Sequence, residues 1–370
     1  MNGFHKRVVI GVEIEAYGIG ASDYQIGRRL SRPRPGLSEN GERFARDTSI
    51  GSEYNSRPFE TIRESLFLLK SGLRKYLRNL YRSQDENGKP DHVVPLLVGG
   101  WTNRFAGTHL HLSLAGEELS KARARSLAAH LHDQIPLMIA MGANSPIWDK
   151  KLTGKASNRL LRGTDIYFIA TKRGELSTKD MREMVFNKAR KTKPATLELR
   201  VLDSNVPEFI VATVAVAKAV ALGWLRRKGA PNPILDHEVY LQARREAGAY
   251  GMRCKLPWAG EWIPARKYLD RFLWEYRDEF EEMDVPSEVW DVFKLLKRGY
   301  TGARLFHCAA TVARHEHPQT WQRRFAKRYS EGLEDLLSGN SLEYFADALK
   351  VPLPNVEPVY LGRKGASVDG

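Results

Sequence analysis

The sequence predicts an α+β protein, because strand-like and helix-like segments alternate as far as about residue 225 and helix-like segments follow. Stretches 60–82 and 117–141 place apolar residues at helical spacing, and such helices would cover the apolar side of a sheet. The chain has 370 residues, of which 42% are hydrophobic. It is therefore long and apolar enough to bury a sizeable core.

The predicted strands are short segments that are rich in β-branched residues or alternate in polarity. They are RVVIGVEIE, RFARDTSI followed by GSEYNS, VVPLLVG, GTHLHLSL, DIYFIA and ATLELRVLD. Beyond the basic turn LRRKGAPNP, amphipathic helical periodicity appears in ARKYLDRFLWEYRDEFEEM, SEVWDVFKLLKRG and PQTWQRRFAKRYSEGLEDLLSG. We therefore divide the chain into a core (1–228), a helical C-terminal region packed on it (229–350) and an extended tail (351–370).

Three features predict a cytoplasmic protein without a membrane partner. The apolar run at 210–225 is short for a membrane span and contains Lys218, so we expect a buried helix. Cys254 and Cys308 are far apart and lack metal-site or CxxC spacing, which indicates a reducing compartment. The N-terminal segment MNGFHKRVVIGVEIE passes directly into a charged strand and has no signal-peptide pattern.

The balance of charge favours an anionic partner. The formal net charge is +14, from 58 Lys and Arg residues against 44 Asp and Glu residues. This charge suits nucleic acids, acidic proteins, nucleotides and phosphate-rich substrates, and it does not choose among them. The basic run KARKTKP at 188–194 is either a solvated turn or a segment that attracts an acidic peptide or anionic metabolite.

Three predicted strands carry polar side chains on one face and apolar side chains on the other, because successive residues of a strand point to opposite sides. The polar face holds Glu13, Glu15, His109, His111, Glu198 and Arg200, and the apolar face holds Val12, Ile14, Leu110, Leu112, Leu197, Leu199 and Val201. A single such pair is more often structural. Three aligned faces with neighbouring carboxylates need a compensating cation, and carboxylate oxygens suit Mg²⁺ or Mn²⁺.

Two further acidic residues, Asp47 and Glu53, precede the first long helix. The candidate metal ligands are therefore Glu13, Glu15, Asp47, Glu53, His109 and Glu198. Five carboxylates and an imidazole are enough for two or three Mg²⁺ ions, whose remaining positions would be filled by water or phosphate oxygens. Sites of this kind hold a nucleoside triphosphate, and Arg200 would be placed to bind a phosphate during its transfer.

The ordered motifs resemble a known superfamily. GVEIE, SEYNS, GTHLHLSL, NSPIWDKKLTGKASNR and TLELRVLD occur in the order seen in carboxylate-amine ligases related to glutamate-cysteine ligase and glutamine synthetase. The similarity is strongest to the compact glutamate-cysteine ligase type 2 and putative amidoligase branch, and it covers roughly residues 7–225. It implies a curved antiparallel sheet that forms a cleft for ATP and divalent metal, backed by helices, as in the catalytic fold of these enzymes.

The resemblance also implies roles for individual residues. Glu13, Glu15, Glu53, His109 and Glu198 match metal ligands, and Asp47 is a further one. Arg200 matches the phosphate-binding arginine, and His111 matches a residue that faces the substrate or the transferred phosphate. Ser157 and Arg159 match a loop that binds substrate or an acyl-phosphate. The implied reaction activates a carboxylate with the γ-phosphate of ATP, after which an amine attacks the acyl-phosphate to form an amide or peptide bond.

Two alternatives stay open from the sequence. One is a ligase or deamidase that acts on a protein or peptide tail, because VEIEAYG is similar to the start of the Pup ligases. The other is a noncatalytic basic nucleic-acid-binding protein, which the interleaved aromatic and basic residues of WQRRFAKRY favour and the acidic face opposes. The acid and amine substrates, the number of metals, the role of the helical region and homo-oligomer formation are left undetermined.

Overall fold

The computed structural model describes residues 3–30, 40–46, 50–78, 93–163, 169–176, 182–191 and 193–355. Several predicted features fall outside these ranges and stay predictions: Asp47 with the adjoining part of RFARDTSI, residues 79–82 of the first predicted helix, most of DIYFIA, and the tail from residue 356. Residues 351–355 are in neither helix nor strand.

The described residues form strands and helices that alternate in the first part of the chain. The strands are β1 (Val8–Glu15), β2 (Tyr17–Gly20), β3 (Ile26–Arg28), β4 (Arg43–Ala45), β5 (Glu53–Asn55), β6 (Val93–Leu96), β7 (Gly107–Leu114), β8 (Ile147–Trp148), β9 (Lys151–Leu152), β10 (Met184–Asn187), β11 (Thr196–Asp203), β12 (Lys255–Trp258) and β13 (Glu261–Pro264). The helices are α1 (Ile62–Arg78), α2 (Lys121–His132), α3 (Ile135–Gly142), α4 (Asn158–Arg162), α5 (Pro207–Leu225), α6 (His237–Tyr250), α7 (Ala265–Glu275), α8 (Arg277–Met283), α9 (Ser287–Lys297), α10 (Gly302–Glu316), α11 (Trp321–Leu337) and α12 (Leu342–Ala348).

The main sheet has six strands in the order β10-β11-β7-β1-β5-β4, and every neighbouring pair is antiparallel. This confirms the predicted α+β class with an antiparallel sheet and many helices. The predicted apolar face is buried as expected: Val12, Ile14, Leu110, Leu112, Leu197, Leu199 and Val201 are each 1% exposed or less. Helices α2 and α3, from the predicted stretch 117–141, contact strands of this sheet as expected, and so does α5, whereas α1, the other predicted covering helix, contacts β6 and α5.

The register between β11 and β7 changes within β11. The strands pair in one register up to Leu199 and in a register shifted by one residue from Leu202 onward. Two residues of β11, Arg200 and Val201, therefore lie opposite a single residue of β7, which is a β-bulge. Because a one-residue shift reverses the side to which later residues point, Asp203 lies on the polar face.

Two predicted helices are each divided in the structure. The segment 117–141 forms α2 and α3, because Pro136 in the first turn of α3 has no N–H to continue the helix. At this break the buried Asp133 carboxylate accepts hydrogen bonds from Arg173 and the backbone N–H of Ile234. The segment 265–283 likewise forms α7 and α8.

The helical region after residue 228 also contains the unpredicted hairpin β12–β13, whose turn residues Ala259 and Gly260 both have positive φ, as a tight hairpin turn requires. Its helices contact the first part of the chain, α6 and α7 on α3, α8 and α9 on α5, and α11 on α1. One hydrophobic cluster runs through both parts. The domain boundary at residue 228 stays a prediction.

Helix α5 is buried, as the sequence predicted. Among the described residues it alone is long and apolar enough to cross a membrane by length and composition, and 89% of its most apolar window is buried inside the protein. Lys218 lies within it, and its Nζ donates hydrogen bonds to the backbone oxygens of Val8 and Glu60.

Lys218 is expected to make stability depend on pH. Burial lowers the pKa of this amine to about 7, although nearby carboxylates, among them that of Glu60, oppose the shift. Between about pH 7 and 10 the unfolded chain therefore binds one more proton than the folded protein, and the free energy of unfolding should rise with pH by up to about 1.4 kcal/mol per unit. Urea unfolding at pH 7, 8 and 9 should show this rise in the parent relative to Lys218→Met. Parallel pH dependence in both proteins would contradict the assignment.

Candidate functional site

Three predicted metal ligands converge at the centre of the polar face. Glu13 on β1 lies directly opposite His109 on β7, and Glu198 reaches the same point from β11. His109 Nδ1 is 3.5 Å from Glu13 Oε2 and 3.5 Å from Glu198 Oε1. One ligand atom from each residue lies within 4.8 Å of the other two. Mutual distances of about 3–4 Å are those of ligands around one ion with metal–oxygen bonds of about 2.1 Å.

The carboxylates of this group stay ionised in spite of their burial. Burial by itself raises the pKa of Glu13, but hydrogen bonds and charge from His109 and His111 outweigh it and hold that pKa well below its usual range. The pKa of Glu198 is also lowered, because the same histidines and Arg200 overcome the effect of burial. The site therefore presents charged oxygen ligands.

His111 lies beside the group on β7. Its Nε2 is 3.4 Å from Glu13 Oε1, and its Nδ1 is 3.3 Å from the Thr196 hydroxyl. Burial lowers the pKa of His111, but the Glu13 carboxylate more than compensates, so that the pKa is raised. The side chain of His111 is 20% exposed, and its predicted contact with substrate or phosphate stays a prediction.

The other two described candidates, Glu15 and Glu53, lie opposite each other on β1 and β5 and are not part of the converging group. Glu15 is buried and accepts a hydrogen bond from the backbone N–H of Gly107. Glu53 accepts one from the side-chain amide of Asn55. Of the six predicted ligands, the structure thus brings three together and places two farther along the same face. The sixth, Asp47, is outside the described residues.

Arg200 lies on the polar face as predicted and contacts the converging group. Its Nη1 is 2.7 Å from Glu198 Oε1. Its Nε is buried and has no hydrogen-bond partner among the described residues. A buried guanidinium N–H without a partner is costly, so this donor suits an anionic ligand on the same face. Asn187, which the sequence did not indicate, holds the other oxygen of Glu198 at 2.9 Å.

Ser157 and Arg159, which the resemblance assigned to a ligand-binding loop, are buried at the base of the face. The Ser157 hydroxyl donates to Asp203 Oδ1 at 3.0 Å and accepts from the backbone N–H of Leu160, so it caps α4. Arg159 Nη2 donates to the backbone oxygen of Arg200 at 3.0 Å. Their predicted contact with substrate stays a prediction.

Asp203 is a site residue that sequence reasoning missed. It is fully buried, and its Oδ2 accepts from the backbone N–H of Asn144 at 2.8 Å. Burial raises the pKa of Asp203 to about 6, partly opposed by Arg159, whose own pKa burial lowers to about 10. The motif TLELRVLD contained Asp203, but strict alternation continued from Leu199 assigns it to the apolar face. The only sequence signal for the different orientation of Asp203 was that a carboxylate stood at a position assigned to the apolar face.

No family model matches this chain, and no curated protein matches it in sequence. Solved structures match it over most of its length. The Pup ligase PafA, solved in complex with the prokaryotic ubiquitin-like protein Pup, has a TM-score of 0.62 at 13% identity over 94% of this chain and 80% of that one. Glutamate-cysteine ligase from Francisella tularensis, in complex with AMP, has a TM-score of 0.54 at 13% identity over 93% of this chain and 92% of that one.

A third similar structure is a bifunctional glutathione synthetase from Pasteurella multocida, with a TM-score of 0.55 at 13% identity over 94% of this chain and 56% of that one. The chain therefore has the fold of these ligases. At 13% identity the likeness establishes the fold alone. It agrees with the fold expected from the motifs, and it does not separate the glutamate-cysteine ligase branch from the Pup ligases.

Proposed function

We propose that this protein is an ATP-dependent, ADP-forming carboxylate-amine ligase that uses Mg²⁺ or Mn²⁺. The observation that carries the proposal is the convergence of Glu13, His109 and Glu198 on one sheet face, with the Arg200 guanidinium in contact with Glu198. Two anionic oxygens and an imidazole are a donor set that suits these hard cations. The shared fold with ATP-using ligases supports the same conclusion.

In this proposal Glu13, His109 and Glu198 hold the divalent cation, and Glu15, Glu53 and Asp47 remain the predicted ligands of a further one. A cation there would neutralise charge on the phosphate oxygens of ATP. Asn187 and Arg200 orient the Glu198 carboxylate by occupying its two oxygens. Such outer contacts fix the direction of a metal ligand.

The remaining polar groups of the face act on the substrate. Arg200 stabilises the phosphoryl group as its charge redistributes between ATP and the substrate carboxylate. His111 lies at the exposed edge, where it contacts the acid substrate or the transferred phosphate. The acyl-phosphate then reacts with an amine, and the chain needs no nucleophilic side chain of its own. The predicted cytoplasmic location belongs to the same proposal.

A second candidate within this class is a ligase or deamidase that acts on a protein or peptide tail. The similarity in fold to a Pup ligase solved with Pup favours it, and so does the net charge of +14, which suits an acidic peptide. A nucleic-acid-binding protein is less well supported, because an acidic face with buried ionised carboxylates would repel phosphate in the absence of a cation.

The reaction class can be tested by an ATP-consumption screen over pairs of amino acids, peptides and the Pup protein with Mg²⁺ present. We expect one pair to produce ADP and inorganic phosphate. When the acid is labelled with ¹⁸O in its carboxylate, one labelled oxygen should appear in phosphate, because that oxygen leaves with the phosphoryl group. An AMP-forming ligase would place the label in AMP. Label in AMP, or ATP consumption that is independent of any acid, would reject the proposed mechanism.

A further inference from the structure

The bulge in β11 leaves the backbone of Arg200 outside the regular ladder with β7. The backbone N–H of Arg200 donates to the backbone oxygen of Glu183, which directly precedes β10 on the opposite side of β11, at 2.9 Å. The backbone oxygen of Arg200 accepts from Arg159 Nη2 at 3.0 Å. A side-chain donor thus completes the hydrogen bonding at the position where the ladder is interrupted.

The guanidinium of Arg159 is itself held in place by a buried polar cluster, which comprises Asn144, Ser157, Arg159 and Asp203. Asp203 fixes the cap residue Ser157, and this cap fixes the start of α4, from which Arg159 projects. Arg159 Nη1 is 4.0 Å from Asp203 Oδ1. The cluster therefore connects α4 to both ends of the bulged segment.

The guanidinium of Arg159 packs closely against β7. A Cβ atom on Gly107 would lie 2.3 Å from Arg159 Nη2, so the guanidinium lies directly against the backbone of β7. Arg159 is 1% exposed. A charge this deeply buried is costly unless every part of it is compensated, which indicates a specific task for this arginine.

We propose that Arg159 and Asp203 are positioning residues that hold the bulge at Arg200 and Val201 and thereby direct the Arg200 guanidinium toward Glu198. This inference rests on the proposed function, in which Arg200 contacts the transferred phosphate. It assigns Arg159 a buried role behind that contact. Bulges redirect side chains next to active sites, and a displacement of about 1 Å in such a group costs about 100-fold in rate.

The first measurement tests the structural part of the proposal without any substrate. Hydrogen exchange of the full-length protein is followed by mass spectrometry of peptides that cover β11. Arg159→Met should speed exchange at residues 199–203 about tenfold or more, because the bulge loses a buried hydrogen-bond donor. Arg226→Met is the matched control: it removes an arginine that pairs with the buried Glu279 beyond the C-terminus of α5, and it should leave β11 exchange unchanged.

The second measurement tests the consequence for the reaction, with the substrate pair that consumes ATP. Arg159→Met should lower kcat about 100-fold, and Asp203→Asn should lower it about 10-fold. The KM for ATP should change little in either variant, because Glu13, His109 and Glu198 are retained. Arg159→Lys keeps the charge and one donor, so it should recover part of the rate. If Arg159→Met does not fold, Arg159→Lys takes its place in both measurements. Arg226→Met should keep the parent kcat.

The outcomes separate this inference from the proposed function. Faster exchange with an unchanged kcat would overturn the positioning role. A lower kcat with unchanged exchange would also overturn it and indicate direct contact between Arg159 and the substrate. If the parent consumes ATP with no pair, the proposed function fails, and the exchange measurement alone decides whether Arg159 holds the bulge.

Discussion

Replacing Glu198 with glutamine is expected to lower metal-dependent ATP turnover about a thousandfold while the protein stays folded. The Glu198 carboxylate lies 3.5 Å from His109 Nδ1, 2.7 Å from Arg200 Nη1 and 2.9 Å from the Asn187 amide nitrogen. The substitution removes one anionic ligand but keeps a side-chain oxygen that still accepts from Arg200 or Asn187. Loss of charge stabilisation at the phosphoryl group should cost about 4 kcal/mol, or about a thousandfold in kcat.

Binding and stability should be measured together with turnover. Calorimetric titration with Mn²⁺ should show weakened binding in Glu198→Gln and in Glu13→Gln, and urea unfolding should change by no more than about 2 kcal/mol. The matched control is Glu208→Gln, which neutralises a carboxylate that is equally buried but pairs with Lys70 between α1 and α5. It should bind Mn²⁺ as the parent does. Parent-like turnover in both site variants would rule out the metal site.

The polar face was predictable because β1 and β7 follow strict alternation. Val12 and Ile14 point into the core, and this requires Glu13 to lie on the opposite side. The antiparallel pairing that places Glu13 opposite His109 follows from neither residue alone. The resemblance to the ligases implied an antiparallel sheet, and the recurrence of the same signature in three strands predicted only that their polar faces share one side of it.

The bulge and the buried cluster were not predictable from alternation. A single extra residue in β11 moves Asp203 to the polar face, and the reason for it lies in Arg159, 41 residues away along the chain. Sequence periodicity describes only neighbours within one strand. The break between α2 and α3 differs, because Pro136 in the first turn of α3 is a local signal that the sequence contains.

The role of Arg159 illustrates the same limit in a different way. Its place in the ASNR motif suggested contact with a ligand, but a motif gives no information about the burial of its side chains. In the structure the guanidinium lies against β7 and bonds to the backbone of Arg200. In the proposed positioning role, Arg159 acts behind the surface that the ligand touches, and the exchange and rate measurements decide between that role and the predicted contact with the ligand.

Replacing Arg200 with alanine should slow formation of the acyl-phosphate by several hundredfold or more. The guanidinium contacts Glu198 through Nη1 and keeps a buried Nε without a partner among the described residues, so it has donor capacity for a phosphoryl oxygen. Removing a charged, preorganised donor from the transferring group typically costs about 3–5 kcal/mol. The effect should fall on kcat, because the phosphoryl charge that Arg200 stabilises develops in the transition state.

Rapid-quench measurement of ADP formation in a single turnover isolates this step from product release. Arg200→Lys should recover only part of the rate, since an ammonium group cannot make the paired contacts of a planar guanidinium. Arg123→Ala removes an arginine of α2 that pairs with the exposed Glu117, and because α2 covers the apolar side of the sheet, its single-turnover rate should equal that of the parent. If Arg200→Ala formed ADP as fast as the parent, the positive charge on this face would have no part in phosphoryl transfer, and the acyl-phosphate mechanism would lose the one cationic side chain assigned to it.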